Sequence, residues 1–158
     1  MKNLLLFLVF ACTFSFSCLG SPVPFSPIVR NYSVLDYNAG NENWAVAQDE
    51  RGVMYFGNNS GLLRYDGSRW KLFPLPTSGI VRAVYVASDR RIYVGSFEEF
   101  GYFEQNDLNL LEYHSLKEQV KGFDFHNDEI WTIVEQGGNI IFQSFGSYFI
   151  YDGKGTKG

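Results

Sequence analysis

Short apolar runs alternate with polar turn sequences along most of the chain. In the first part of this pattern the runs cover residues 45–49, 53–57, 61–66 and 69–73. The breaks between them contain Glu50-Arg51-Gly52, Asn58-Asn59-Ser60 and Asp66-Gly67, and glycine, asparagine and aspartate favour tight turns. Four short strands joined by tight turns predict an antiparallel meander.

The same unit then recurs. Runs at 83–87, 92–95 and 102–104 repeat the earlier ones at a constant displacement of 38 positions (45 to 83). A third copy, at 131–135, 140–143 and 149–152, lies 48 positions further on (83 to 131), after a longer polar connection. A period near 40 residues with about four strands per unit is typical of propeller blades.

We therefore predict an all-β fold, an incomplete β-propeller of about three four-stranded antiparallel blades. The predicted blades cover about 44–76, 80–116 and 122–158, and the last is incomplete because the sequence pattern stops after its third strand. A β-sandwich is the alternative, but a sandwich has no reason to repeat motifs in register. Propellers typically have four to eight blades, so we expect this chain to be a fragment or the opening of a longer protein.

The amino terminus has the pattern of a targeting segment. Lys2 precedes an apolar run at 4–11, and small residues follow, which is typical of a secretory signal peptide over residues 1–20. An uncleaved membrane anchor is an alternative, but the run is shorter than the roughly 20 residues that a spanning helix needs. A lipoprotein signal at Cys18 is a third, although residues 15–17 lack the usual aliphatic residue. The proline-rich residues 21–43 then predict an extended lead-in to a partial propeller at 44–158.

Composition and charge argue against some classes of function. Aromatic residues make up 18% of the chain, which suits strands, and the net charge is −4. An acidic chain has no general attraction for phosphate backbones, so we expect no nucleic acid to bind this portion. Both cysteines, Cys12 and Cys18, lie in the predicted leader, and no disulfide or thiolate chemistry is expected after its cleavage.

Residues 49–67 resemble a known repeat. They match the two-component regulator propeller pattern of an acidic residue, a glycine turn, an aromatic-aliphatic-glycine strand and Gly-Leu-x-x-Tyr-Asp-Gly. Segments at 31–33, 36–41, 97–103 and 142–145 are similar to the amino-terminal region of the triple-tyrosine-motif regulators of Bacteroidetes. The resemblance implies a periplasmic propeller, a β-sandwich, one inner-membrane helix and a cytoplasmic LuxR-type helix-turn-helix or histidine-kinase output. The expected partners are then the remaining blades and the output domains.

Residues with catalytic or metal-binding potential are sparse. His114 and His126 are isolated from any readable nucleophile motif, and one imidazole among the acids of 126–129 is more typical of a solvated turn than of a metal site. Glu98 and Glu99 are adjacent, so in a strand their side chains would point to opposite faces, and we interpret the pair as a polar turn between strands. The glycines at 57–61 and 153–155 open no helix, as a phosphate loop must. The Asp-Gly pairs at Asp66 and Asp152 predict hairpin turns. We expect no catalytic residue, metal or cofactor.

The hypothesis that this chain binds a ligand rests on its aromatic side chains. They recur near predicted strand ends at Trp44, Tyr55, Trp70, Tyr85, Phe97, Phe100, Tyr102 and Trp131. A small ligand such as a carbohydrate would stack on such rings, although most of them are expected to pack between blades, and no binding residue is assigned. The sequence thus favours a non-catalytic extracytoplasmic sensor. The alternatives are an exported propeller enzyme of glycosidase or lyase type and a structural, protein-binding propeller.

Overall fold

The computed structural model describes residues 26–76 and 79–157. The chain divides into two compact units, Met1–Asn31 and Tyr32–Gly158, and the elements given below belong to the second. The predicted signal peptide and both cysteines lie outside the described residues.

The second unit contains three four-stranded antiparallel sheets, each formed by strands that are consecutive in the sequence. The first sheet has β1 (Asn43–Gln48), β2 (Met54–Asn58), β3 (Gly61–Tyr65) and β4 (Trp70–Phe73). The second has β5 (Val81–Val86), β6 (Ile92–Ser96), β7 (Glu99–Gln105) and β8 (Leu111–Ser115). The third has β9 (Thr132–Gln136), β10 (Asn139–Gln143), β11 (Tyr148–Tyr151) and β12 (Thr156–Lys157). The prediction of an all-β fold with four-stranded antiparallel sheets is confirmed.

Two elements differ from the prediction. The lead-in contains a short helix, α1 (Val34–Tyr37), where the sequence predicts an extended segment; the Asp36 carboxylate accepts hydrogen bonds from the backbone N–H and hydroxyl of Ser33 and so closes the turn. The third sheet gains β12, which pairs with β11 after the Asp152-Gly153 turn. A short 3₁₀ helix, Lys117–Gln119, lies in the long connection before β9.

The strand registers reproduce most of the sequence repeat. Ala45 pairs with Gly57 and Ala83 with Gly95, and the ladder is irregular just before each alanine. In the third sheet β10 and β11 keep the displacement of 48, but Thr132 instead of Trp131 pairs with Gln143. The first strand is therefore displaced by 49 (83 to 132), a correction to the predicted alignment. The cause is a shorter turn: four residues, 136–139, separate the paired Glu135 and Ile140, whereas five residues, 49–53 and 87–91, separate the matching pairs in the first two sheets.

The three sheets pack face to face, with the second between the other two. On one side of β6, Ile92 and Val94 pack in one apolar cluster with Tyr55 and Leu62 of the first sheet. On the other side, Tyr93 belongs to a separate cluster that contains Ile140, Phe142 and Phe149 of the third sheet, together with Phe100 of β7. All five residues of β6 are buried, as expected for a strand covered on both faces.

Candidate functional site

Three side chains at equivalent positions meet where the first strand of each sheet begins. Trp44 precedes Ala45, Arg82 precedes Ala83, and Trp131 precedes Thr132, and each following residue pairs with the same site on the second strand of its sheet. The repeat therefore places an indole, a guanidinium and a second indole side by side. In an antiparallel sheet this end also carries the turn between the second and third strands.

Arg82 lies between the two indoles. The guanidinium carbon is 3.7 Å from the centre of the Trp44 ring and 5.2 Å from that of Trp131. Its Nε donates to Oε1 of Glu129 at 2.6 Å, and both side chains are less than one-fifth exposed. Among the described residues Nη1 is enclosed and has no hydrogen-bond partner. One arginine thus contacts a residue of the first sheet and two residues at the entry to the third.

The first sheet holds its indole in place through a chain of hydrogen bonds. Trp44 Nε1 donates to Asn59 Oδ1 at 2.7 Å, and Asn59 Nδ2 donates to Glu42 at 3.0 Å. Beneath them the fully buried Asn58 accepts the N–H of Gly40 and of Ser60 through Oδ1. Its Nδ2 donates to two backbone carbonyls and one side chain of the lead-in. The turn after β2 is therefore tied to the chain that leads into β1.

Four large apolar side chains remain accessible around the arginine. Trp44, Phe97, Trp131 and Phe145 are 45%, 41%, 37% and 88% exposed. The rings of Trp131 and Phe145 are 5.4 Å apart, and the backbone of Phe97 forms a bridge with Glu129. We call these four residues with Arg82 the aromatic edge. Exposed aromatic side chains gathered at the turns of a sheet stack are typical of a binding surface.

Acidic side chains lie around the aromatic edge, and their negative charge exceeds the positive charge of Arg82. Glu129 pairs with Arg82, and Glu98 accepts the N–H of Asn127 at 2.8 Å in the adjoining turn. The backbone N–H of Glu98 donates to the carbonyl of Asp128 at 2.8 Å. The local charge is therefore negative, which disfavours an anionic ligand and favours a neutral one with hydroxyl groups that donate to carboxylates.

In the structure, five of the eight aromatic residues named from the sequence pack against other side chains, and three are exposed. Tyr55 and Phe100 are buried between sheets, and Tyr85 and Tyr102 pack against the same cluster as Phe100. The remaining four are Trp70, which packs against Tyr32, Tyr37, Phe56 and Tyr65, and the exposed Trp44, Phe97 and Trp131.

Sequence reasoning missed Arg82, Glu129 and Phe145. The repeat carried a usable signal for the arginine, because Arg82 lies 38 positions after Trp44. Phe145 sits in the turn after β10, and Glu129 is brought to Arg82 by the long connection, so neither position follows from the strand pattern.

The histidines and the acid pair fall in separate places. His114 lies on β8, with Nε2 3.2 Å from Oε1 of Glu104, and its ring stacks on Tyr102. His126 lies in the long connection, where its backbone N–H donates to Asp124. Across residues 26–76 and 79–157 no group of three histidine, cysteine or acidic side chains is arranged to hold a metal ion.

Glu98 and Glu99 differ from the polar turn that the sequence suggests for both. Glu98 stays in the turn with a positive φ of 52°, whereas Glu99 begins β7 and is buried. Oε1 of Glu99 accepts from the hydroxyls of Tyr113 at 2.9 Å and Ser115 at 2.7 Å. Burial first, and then the Glu99 charge, raise the pKa of the Tyr113 hydroxyl far above its usual range.

The two Asp-Gly pairs form hairpin turns, as predicted. Gly67 and Gly153 have φ of 93° and 83°. The Asp66 carboxylate accepts backbone N–H groups of Ser68 and Arg69, which lowers its pKa, and Asp152 makes the equivalent bonds in the last turn.

Comparison with known proteins finds a similar fold but no similar sequence. No family model and no curated protein sequence matches the chain. A solved structure, the extracellular domain of a putative hybrid two-component system from B. thetaiotaomicron, is similar with a TM-score of 0.56 and 16% sequence identity. The match covers 78% of this chain and 16% of that one, so the chain spans about a sixth of the length of its structural relative. Within the described residues, no helix is long and apolar enough to cross a membrane.

Proposed function

We propose that this chain is the extracytoplasmic, non-catalytic sensing portion of a membrane-coupled signal-transduction or transcriptional regulator. The observation that carries the proposal is the aromatic edge, a set of accessible rings where the turns of three sheets meet. The likeness of fold to an extracellular domain of a two-component system supports it. So does the predicted signal peptide, which would place the chain in the periplasm, with the full-length protein anchored in the inner membrane.

The ligand we propose is a carbohydrate. Sugar rings present C–H faces that stack on indole and phenyl rings, and their hydroxyls donate to carboxylates such as Glu98 and Glu129. The ring centres of Trp131 and Phe145 are 5.4 Å apart and both rings are accessible, so one sugar unit can contact both. Arg82 orients both indoles from behind, so it acts as a positioning residue.

We further propose that the three sheets are blades of a β-propeller with additional blades in the whole protein. Support comes from the outer face of the third sheet. The corresponding face of the first sheet, with Tyr55 and Leu62, is covered by the second, but Val134 and Tyr148 of the third are 44% and 62% exposed. A further blade packed on this face would bury them as the other two faces are buried.

Calorimetric titration of the chain with oligosaccharides tests the ligand. Cellohexaose, xylohexaose, mannohexaose and maltohexaose serve as probes of differing hydroxyl geometry. We expect at least one to bind, and Trp131→Ala and Phe145→Ala each to weaken that binding about tenfold or more. Stacking of a nucleic-acid base on an aromatic side chain contributes on the order of 1–3 kcal/mol, and we expect a similar contribution for a sugar ring. Leu108→Ala, at an exposed apolar residue in the turn between β7 and β8 at the opposite end of the second sheet, is the control. Binding that survives both edge substitutions contradicts the proposal.

A further inference from the structure

A cavity of about 560 Å³ lies at the end of the first two sheets opposite the aromatic edge. Its walls are the turn between β1 and β2, the turn between β5 and β6, and the adjoining ends of β7 and β8. Small-molecule sites in proteins have volumes of roughly 300–1,000 Å³, so the space is sufficient for a small ligand.

Most charged groups in this cavity are already used by the protein. Asp49 accepts the backbone N–H groups of Arg51 and Val53 at 2.9 Å each, and it also holds the Arg51 guanidinium. Arg91 pairs with Glu104 at 2.9 Å. Asp89 accepts the hydroxyl of Tyr93 at 2.8 Å. These contacts fix the two turns and leave those side chains little capacity for a ligand.

Glu50 and Arg90 are different. Both line the cavity and are exposed, one in each turn. Neither side chain has a hydrogen-bond or ion-pair partner within residues 26–76 and 79–157. One carboxylate, on the first sheet, and one guanidinium, on the neighbouring second sheet, thus remain available to bind a ligand.

The backbone at Arg90 is in a conformation that favours glycine. Its φ is 68°, and the turn closes through the Arg90 N–H to the Ala87 carbonyl at 3.0 Å. The equivalent residue in the first sheet is Gly52, with φ of 82° and the same bond to Asp49. A left-handed conformation is unfavourable for a residue with a Cβ. Arginine at this site places a guanidinium at the cavity at the expense of backbone strain, which is typical of a functional position.

The floor of the cavity is apolar. Val86, Ile92 and Leu111 line it together with the ring of Tyr55, and Ile92 and Tyr55 are buried. The charges above this floor nearly cancel, because Arg51, Arg90 and Arg91 face Asp49, Glu50, Asp89 and Glu104. A strongly anionic or cationic ligand is therefore disfavoured. The lining fits a compact ligand with an apolar body and one charge of each sign.

From this geometry we infer that the cavity binds a small zwitterion, a free amino acid or a short peptide. Its carboxylate pairs with Arg90, its ammonium group pairs with Glu50, and its apolar body contacts the floor. Guanidinium groups bind carboxylates through two parallel hydrogen bonds, which gives the site its orientation. This site is independent of the aromatic edge and of the ligand proposed there.

Calorimetric titration of the whole chain with glycyl-L-leucine tests the inference, with N-acetyl-glycyl-L-leucinamide as the probe that keeps the apolar body but lacks both charges. We expect the dipeptide to bind and the capped probe to bind at least tenfold more weakly. Arg90→Gly and Glu50→Gln each weaken dipeptide binding about tenfold or more. Lys154→Gln, in the turn before β12, is the control for loss of one surface charge.

Arg90→Gly also separates binding from folding. Because glycine relieves the left-handed strain, we expect the Tm of this variant to rise by about 2 °C or more while binding is lost. Absence of dipeptide binding to the unaltered chain overturns the inference, as does binding by Arg90→Gly and Glu50→Gln that is as tight as that of the unaltered chain. Loss of dipeptide binding in Trp131→Ala also overturns it, because the ligand would then lie at the aromatic edge.

Discussion

A single side chain, Arg82, links residues from all three parts of the sheet stack. Its guanidinium packs on Trp44 and Trp131 and pairs with Glu129, which is only 17% exposed. Removing one partner of a largely buried ion pair leaves the other charge without compensation, and the cost exceeds the value of the pair itself.

We expect Arg82→Ala to lower the free energy of unfolding by about 2–3 kcal/mol, from loss of the ion pair and of two cation–π contacts. Arg82→Lys keeps the charge but loses the planar contact, so its effect should be intermediate. Urea unfolding followed by fluorescence measures both, with Arg69→Ala as the control on an exposed arginine. An effect below 0.5 kcal/mol for Arg82→Ala, the usual range for surface substitutions, is incompatible with this account.

Glu99 shows what sequence cannot reveal at the residue scale. The adjacent acids predict a polar turn, yet Tyr113 and Ser115 bring two hydroxyls to Glu99 from β8. These donors lie 14 and 16 positions away, and only the strand register brings them to the carboxylate. By contrast, the Asp66-Gly67 turn was predictable because its bonds are local.

The Tyr113 hydroxyl gives a pH-dependent prediction. Its pKa is raised in the folded chain, chiefly by burial and then by Glu99, whereas an unfolded tyrosine ionises near pH 10. The stability contributed by the neutral hydroxyl is therefore fully present below about pH 10 and is lost as the pH rises above it. Urea unfolding at pH 8 to 11 should show a smaller loss of stability in Tyr113→Phe than in the unaltered chain. Parallel pH profiles for the two proteins would argue against it.

At the scale of elements, the sequence repeat predicted the strands well and their exact alignment less well. Local alternation and turn residues located β1 to β7, because both signals act within a few residues, but no run was assigned to β8. The turn between β9 and β10 is one residue shorter than the turns after β1 and β5, and this difference shifted only the first strand of the third unit by one position. The two-residue β12 pairs with β11, and no apolar run in the sequence marks its position.

The distance between neighbouring sheets depends on a glycine in β2. A Cβ built on Gly57 would lie 2.7 Å from the carbonyl oxygen of Val81 in the second sheet, closer than real Cβ contacts allow. We expect Gly57→Ala to lower the free energy of unfolding by about 1–3 kcal/mol, as overpacking substitutions do. Gly146→Ala, where nothing lies within 4 Å of the added carbon, is the matched control and should change stability by about 0.5 kcal/mol or less. Similar effects at both positions would mean that the sheets can separate freely.

At the scale of the whole molecule, the outer face of the third sheet remains uncovered within the described residues. Each sheet has two apolar faces, and the second sheet has both covered, as the burial of all of β6 shows. The third sheet has its inner face covered through Ile140 and Phe142, but its outer face presents Val134 and Tyr148 to solvent. The sequence predicted that such a stack continues, and the position of the uncovered face could be assigned only from the strand registers.

An uncovered apolar face should make the isolated chain associate. Removing Val134 and Tyr148 from water is favourable at roughly 25 cal/mol per Å² of apolar area, and neighbouring molecules can provide that burial. We expect sedimentation velocity to show concentration-dependent oligomers for the chain alone, and Tyr148→Asp to shift them toward monomer. Leu108→Asp introduces the same charge at an exposed apolar residue in the turn after β7, and should leave the association unchanged. If the unaltered chain is monomeric at high concentration, or if both aspartate variants dissociate it equally, the outer face of the third sheet is not the surface that a further blade would cover.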